Sequence, residues 1–256
     1  PPIRQQNYYL FAQDDWQVAP GLTFNLGLRY ELNTVPTASG RLTNFTVERG
    51  FFNDDVGLHD GDHNNFAPRF GFAWTPFKDG RTVVRGGAGM FYDLVFGNVP
   101  FSLTFNPPAS VQFYPIFGTV PDPGLLGDIF ADVPLGPDYE DAGPALITID
   151  PEIRTPYAIQ WNLNVQHQLG DSIGLEVGYY GTRGVKLLLN RDVNQPAYFP
   201  GESDSNNIFD RRPTQLAGQT FLLEGIDVGG IDLVQQQEAA ASSIYHSFQS
   251  RLSGRV

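Results

Sequence analysis

The sequence predicts an all-β fold: an antiparallel up-and-down meander of long hairpins, part of a transmembrane β-barrel with long extracellular loops. Three observations support this prediction. Apolar and polar residues alternate, short turns alternate with long loops, and the strand candidates exceed the about 5–6 residues usual in soluble sheets. The clearest alternation covers residues 22–31. Its apolar face carries Leu22, Phe24, Leu26, Leu28 and Tyr30.

The same periodicity predicts the remaining strands in chain order. The strand candidates lie near residues 7–18, 22–32, 66–75, 82–93, 155–169, 172–182 and 244–256. The long loops lie near residues 33–64, 94–154 and 188–243. Residues 235–241, inside the last of these loops, are the best helix candidate. Each unit therefore reads as strand, short turn, strand and long loop.

Individual strands carry irregularities. In the first strand Asp14 shares a face with apolar residues, so the pattern defines the apolar face of this strand less clearly than that of any other. Pro68 cannot donate a ladder hydrogen bond and marks a strand end or bulge. Most strand Trp and Tyr residues lie near strand ends, where aromatic belts meet the membrane interfaces, but Trp161 lies mid-strand and does not fit.

Composition excludes several classes of protein. The 256 residues include no cysteine, which rules out disulfides and thiol chemistry. A formal net charge of −12 argues against a nucleic-acid partner, because phosphates need basic surfaces. No apolar run approaches the roughly 20 residues of a spanning helix. The chain begins at Pro1 without a signal sequence, which suggests a piece of a longer protein or a processed product.

The clear mid-strand charges all fall on the polar faces, and we therefore name Arg29, Arg69, Arg85 and Glu176 as lumen-facing candidates. A charge on the lipid face at mid-depth would cost about 2–4 kcal/mol, whereas a wet lumen accepts both signs. The alternative left open by the pattern is an ordinary two-sheet sandwich, with the apolar faces sealed against each other.

Several blocks resemble the barrel of TonB-dependent receptors, most closely the Oar-like branch that contains a carboxypeptidase regulatory domain. The blocks are residues 9–16 (Tyr-Leu-Phe-Ala-Gln-Asp-Asp-Trp), 22–31, 65–74, 155–162 and 245–249. The resemblance covers most strands and hardly touches the loops.

The resemblance implies a large plugged barrel in the outer membrane of a Gram-negative bacterium, with its loops at the cell surface. It implies import of a bulky ligand, energised through the TonB complex. The plug, the TonB box, the regulatory domain and the closing strands have no counterpart here, so no energy-coupling residue is carried over. The implied partners are outer-membrane lipid, the rest of the receptor chain and, through those segments, TonB.

The remaining motifs give no sign of catalysis. Asp60 and Asp62, in the acidic loop 53–63, could ligate Ca²⁺, but the spacing is not that of an EF-hand and a solvated loop is the simpler interpretation. His59 and His63 lie four residues apart without a helix to bring them together. The glycine run at residues 86–89 is no phosphate loop and makes room for neighbouring side chains or a plug. We predict no enzyme activity and no cofactor.

The loop at residues 94–154 is unusually aromatic, which favours contact with a ligand or partner, or a small core of its own. The contact candidates are Phe101, Phe105, Phe113 and Tyr114. Two hypotheses follow. The chain is a segment of an outer-membrane transporter barrel, or it is a non-enzymatic surface module whose loops bind a protein or glycan.

Overall fold

A computed structural model describes residues 3–94, 97–106, 145–198, 210–219, 222–223, 226–227 and 230–254 of the chain. The long strands are β1 Asn7–Ala19, β2 Leu22–Asn33, β5 Phe66–Trp74, β6 Thr82–Tyr92, β8 Tyr157–Leu169, β9 Ile173–Asp192 and β12 Val234–Gly254. The short strands are β3 Thr43–Thr46, β4 Gly50–Asn53, β7 Leu146–Ile149, β10 Leu222–Leu223 and β11 Ile226–Asp227. The helices are α1 Asn98–Ser102, a 3₁₀ turn Leu103–Phe105 and α2 Pro213–Leu216.

The seven long strands and the short β7 form one eight-stranded sheet in the order β1-β2-β5-β6-β8-β9-β12-β7. All of its pairings are antiparallel except that of β7, which runs parallel to β12. Short turns with left-handed glycines, such as Gly80 at φ 67° and Gly170 at φ 67°, close the hairpins at one end. The predicted all-β meander is confirmed.

The apolar face of the sheet is not covered by a second large sheet. The other sheets in the described part of the chain, β3–β4 and β10–β11, are two-stranded. Leu26 and Leu163 remain 41% and 47% exposed. The sandwich alternative, which needs these side chains sealed, is therefore wrong for the described residues.

The last two long strands extend further than predicted, and the helix expected at residues 235–241 is wrong. β12 begins at Val234 and β9 continues to Asp192, so both ends of the predicted loop 188–243 are strand. Gln235 pairs with Asp192, and the ladder continues past register shifts between Ala239 and Ser243. Glutamine, glutamate and alanine on both faces gave no apolar alternation to detect, and partner strands overrode the local helix preference.

The only hydrophobic cores of the described residues lie among the long loops. One consists of Ala38, Leu42, Leu58, Val99, Leu103, Ile149 and Ile153. The other consists of Phe45, Leu146, Ile231 and Val234. We call the described parts of residues 34–65, 97–106, 145–156 and 193–234 the loop layer. No helix in the described part of the chain is long and apolar enough to span a membrane.

Candidate functional site: a polar sheet face and the loop layer

The strand register places the four charged candidates on one face of the sheet. Gly27 pairs with Arg69, so Arg29, two residues further along β2, shares its face. Arg69 pairs with Gly89 on β6, which puts Arg85 on that face too. Arg85 pairs with Asn164, and Gln166 pairs with Glu176. The polar face is thereby defined, and its assignment to a lumen stays a prediction.

The charges on this face are held differently. Arg29 Nε lies 2.9 Å from a carboxylate oxygen of Glu31, and its guanidinium lies 4.9 Å from the Tyr9 ring centroid. The Arg69 guanidinium lies 4.5 Å from the ring centroid of Phe91. Alternation explains the first pair, since residues two apart on a strand share a face.

The glycine run of β6 accommodates neighbouring side chains, as the sequence predicted. A Cβ on Gly86 would lie 2.5 Å from Cε1 of Phe72 and 3.2 Å from the carbonyl oxygen of Asn162. A Cβ on Gly89 would lie 3.2 Å from Cε2 of Phe91. The missing side chains therefore leave room for aromatic rings on both faces of the sheet.

We expect Gly86→Val to destabilise the sheet by about 1–3 kcal/mol, because the added group must displace the Phe72 ring and meets backbone. The temperature at which the intact protein loses its folded mobility in a detergent gel measures the effect. Ala88→Val is the matched control, since Ala88 is exposed on the same face of the same strand. Equal stability of both variants would contradict this account.

The apolar face carries aromatic pairs near the ends of the strands that lead into long loops. Tyr30 pairs with Phe66 and Tyr92 with Tyr157, with ring centroids 4.8 and 5.4 Å apart. The Tyr30 hydroxyl donates to the carbonyl oxygen of His63 at 3.0 Å. Such a row is typical of the aromatic belt at a membrane interface.

Trp161, which did not fit a belt, packs over a gap in the neighbouring strand. It pairs with Gly181, and its indole occupies the space where a Gly181 side chain would lie. Its ring centroid lies 5.8 Å from that of His246. Nδ1 of His246 is 2.7 Å from the Tyr179 hydroxyl, which satisfies a polar group on the apolar face.

Buried asparagines connect the loop layer. Asn44 Nδ2 donates to the carbonyl oxygens of Leu58 and Ile149 at 2.9 and 2.8 Å. Its Oδ1 accepts the backbone N–H groups of Phe45 and Ile149 at 2.9 and 3.0 Å. Asn106 bonds the carbonyl and N–H of Ile147 in the same way, at 2.6 and 3.0 Å. Two amide side chains thus satisfy the β7 edge that faces away from β12.

A network of ion pairs joins the loop layer to the end of β9, close to the start of β12. Arg212 lies between two carboxylates, 3.5 Å from Asp192 and in direct contact with Asp232. Asn194 Nδ2 donates to the carbonyl oxygens of Ile231 and Asp232 at 2.8 and 2.6 Å. Burial raises the pKa of the Asp232 carboxyl, and the neighbouring Asp192 adds to this, while Arg212 opposes it.

The acidic loop uses its carboxylates to hold backbone. Asp54 accepts hydrogen bonds from the N–H groups of Ala38 and Leu42. Asp62 accepts from Thr155 N at 2.8 Å, and Asp60 lies 3.9 Å from Arg154. No group of three or more His, Cys, Asp or Glu that could hold a metal occurs among the residues that the structure describes.

His59 is half-buried in this loop, and burial lowers the pKa of its imidazole below 6.5. In the unfolded or opened loop the His59 imidazole binds a proton near pH 6.5, whereas in the closed loop it binds one only at lower pH. We expect the closed loop to lose stability as the pH falls from 6.5 towards the lowered pKa. Hydrogen exchange of the Asp60 amide, which donates to Pro151 O at 2.7 Å, reports it. His59→Gln should remove this slope, and His63→Gln, at an exposed site, should retain it.

The aromatic loop candidates are only partly described. Phe101 and Phe105 lie on α1 and the 3₁₀ turn, with edge-on rings whose centroids are 5.6 Å apart, and they are 52% and 37% exposed. Phe113 and Tyr114 lie outside the described residues. Sequence reasoning missed the structural asparagines, because a single Asn in a polar loop is a common turn residue and gives no specific signal.

Comparison with known proteins gives one family. Residues 1–256 match the family described as the outer membrane beta barrel domain. No curated protein matches the chain.

Solved structures share the fold at low sequence identity. The chain is similar to the outer membrane transporter YddB from Escherichia coli, at 13% identity and a TM-score of 0.50 over 97% of this chain and 21% of that one. It is similar to a mutant of the ferric enterobactin receptor PfeA from Pseudomonas aeruginosa, at 10% identity and a TM-score of 0.50 over 96% of this chain and 24% of that one. It is also similar to the siderophore receptor PirA from Acinetobacter baumannii, at 10% identity and a TM-score of 0.50 over 97% of this chain and 25% of that one. The chain spans a quarter or less of these structures.

Proposed function

Because the chain belongs to the outer membrane beta barrel domain family, which places it in the outer membrane of a Gram-negative bacterium, we propose that it forms part of the wall of a TonB-dependent transporter. The wall binds and passes a bulky ligand without catalysing its conversion. Its polar face lines the passage, and its loop layer forms part of the surface that first meets the ligand. We assign the chain to the Oar-like branch on the sequence blocks given above.

One observation carries this proposal: a sheet with one charged face ends in a loop layer that has its own cores. Long loops are uncommon in compact domains, and ordered ones are usually functional. Binding residues often lie on loops that a rigid scaffold positions. Phe101 and Phe105 present aromatic surface on this layer. The surface-module alternative has no comparable observation in its favour. The similar structures include a siderophore receptor and a ferric enterobactin receptor, which suggests iron complexes as first probes.

Uptake of radiolabelled iron by cells tests the proposal. The intact receptor is expressed in cells that lack their own siderophore receptors, with and without TonB, and ferric enterobactin and other bulky ferric siderophores serve as probes. We expect TonB-dependent accumulation of at least one probe, reduced by Phe101→Ala with Phe105→Ala. Accumulation that is equal with and without TonB would contradict the transporter assignment.

A further inference from the structure

The polar face contains a notch without side chains on its floor. Across β5, β6 and β8, Arg69 pairs with Gly89 and Gly89 with Gln160. In the adjacent row Gly71 pairs with Gly87 and Gly87 with Asn162. An open pocket of about 220 Å³ results.

The groups around this notch include the hydrogen-bond donors of Arg69 and of two side-chain amides, Gln160 and Asn162. The Arg69 guanidinium is stacked on Phe91, which limits its motion before anything binds. Asn162 Oδ1 accepts a hydrogen bond from Asn164 at 3.5 Å, and its Nδ2 lies 3.9 Å from the position of a Cβ on Gly87. The amide N–H₂ is therefore directed towards the notch. A guanidinium with amide N–H groups beside it supplies the donors that an anion needs.

The charge balance points the same way. Among the described residues, the ion pairs include neither Arg69 nor Arg85, although the chain as a whole carries −12. Arg29, on the same face, is already paired with Glu31. An arginine fork matches the two oxygens of a carboxylate, and one guanidinium balances its single charge.

We infer that this Arg69 notch, formed by Arg69, Gly87, Gly89, Phe91, Gln160 and Asn162, binds a carboxylate. The group comes from one of two sources: an Asp or Glu of the receptor's own remaining segments, or a carboxylate-bearing solute in the passage. The inference rests on the proposed function only in treating the polar face as the lumen wall.

Reaction of the arginines with phenylglyoxal in the purified intact receptor tests the inference. Peptide mass spectrometry follows Arg69 and compares it with Arg85, which lacks the notch. We expect millimolar glutarate to slow modification of Arg69 by about tenfold, and glutaramide, its neutral counterpart, to leave it unchanged. Arg85 should respond to neither. This result identifies a solute site.

A different result identifies the internal source. Arg69 is then unreactive before any addition, and the cryo-EM map of the intact receptor shows an Asp or Glu carboxylate against its guanidinium. Two outcomes overturn the inference. Either Arg69 reacts like Arg85 whether glutarate is present or not, or an unreactive Arg69 faces no carboxylate in the map.

Variants localise the effect to the notch. Gly89→Val fills it, because a Cβ there already lies 3.3 Å from Cγ of Arg69, and should abolish protection of Arg69. Ala88→Val, on the opposite face, should preserve it. If Gly89→Val fails to fold, Asn162→Leu removes the amide donor instead. Iron uptake is measured separately. TonB-dependent uptake with an Arg69 that reacts like Arg85, with or without glutarate, defeats this inference alone, and protection of Arg69 without TonB-dependent uptake defeats only the proposed function.

Discussion

Asn44→Leu is expected to open the loop layer, with a loss of about 3–5 kcal/mol in its local stability. The leucine leaves the N–H and carbonyl of Ile149, the carbonyl of Leu58 and the N–H of Phe45 without their partner, all in a site where Asn44 is fully buried. A buried backbone group without a partner costs about 1–3 kcal/mol, and some of the four can reach water after relaxation.

Hydrogen exchange in the membrane-embedded protein measures this loss. The Ile149 amide should exchange more than a hundredfold faster in Asn44→Leu, since each 1.4 kcal/mol is about a factor of ten. Amides in the middle of β8 should be unaffected, because the loop cores do not include them. Asn64→Leu, at an exposed position of the same layer, is the control. An Ile149 amide as protected as in the parent would show that Asn44 is dispensable.

Arg212→Gln is expected to destabilise the junction of β9 and β12 by about 2–4 kcal/mol, because two carboxylates lose their shared cation. The side chains of Arg212, Asp192 and Asp232 are 12%, 19% and 23% exposed, so water compensates only in part. Arg81→Gln is the control, since the Arg81–Asp171 pair, 3.6 Å apart and well exposed, contributes little.

The Arg212 variant has a pH signature. Asp232 already has a raised pKa, and removing Arg212 raises it further because the opposing cation is gone. The folded variant then binds a proton that the unfolded chain, with a carboxyl near its usual 3.8, releases. Acidification through this window should therefore reduce the destabilisation. Protection of the Val234 amide, measured against pH, reports it, and Asp232→Asn should partly rescue Arg212→Gln at neutral pH. A defect that is independent of pH would contradict the coupling between Arg212 and Asp232.

The sequence predicts those parts of the fold whose two faces meet different surroundings. Phe24 and Phe72 share a face with Leu26 because alternation is a local property, and the charged candidates follow from the same rule. The N-terminal part of β12 was not predicted as a strand, because Gln235, Gln236 and Gln237 offer no contrast in polarity between the two faces. Its pairing with β9 becomes visible only in the register.

The features of the candidate site that the sequence did not predict depend on contacts between residues distant in the chain. Trp161 was identified as an exception, but its partner Gly181 lies on another strand and depends on the β8–β9 register. Asn44 bonds Ile149 across 105 positions, a separation that no local motif encodes. The Arg69 notch likewise needs glycines of β5 and β6 to be brought beside β8.

The reciprocal hydrogen bonds between Asn106 and Ile147 suggest a use in protein engineering. They hold Asn106 and Ile147, which are distant in the sequence, side by side. A foreign epitope grafted between these points would start with its ends already fixed, and doubling the length of the insert would add only about 0.6 kcal/mol of closure cost.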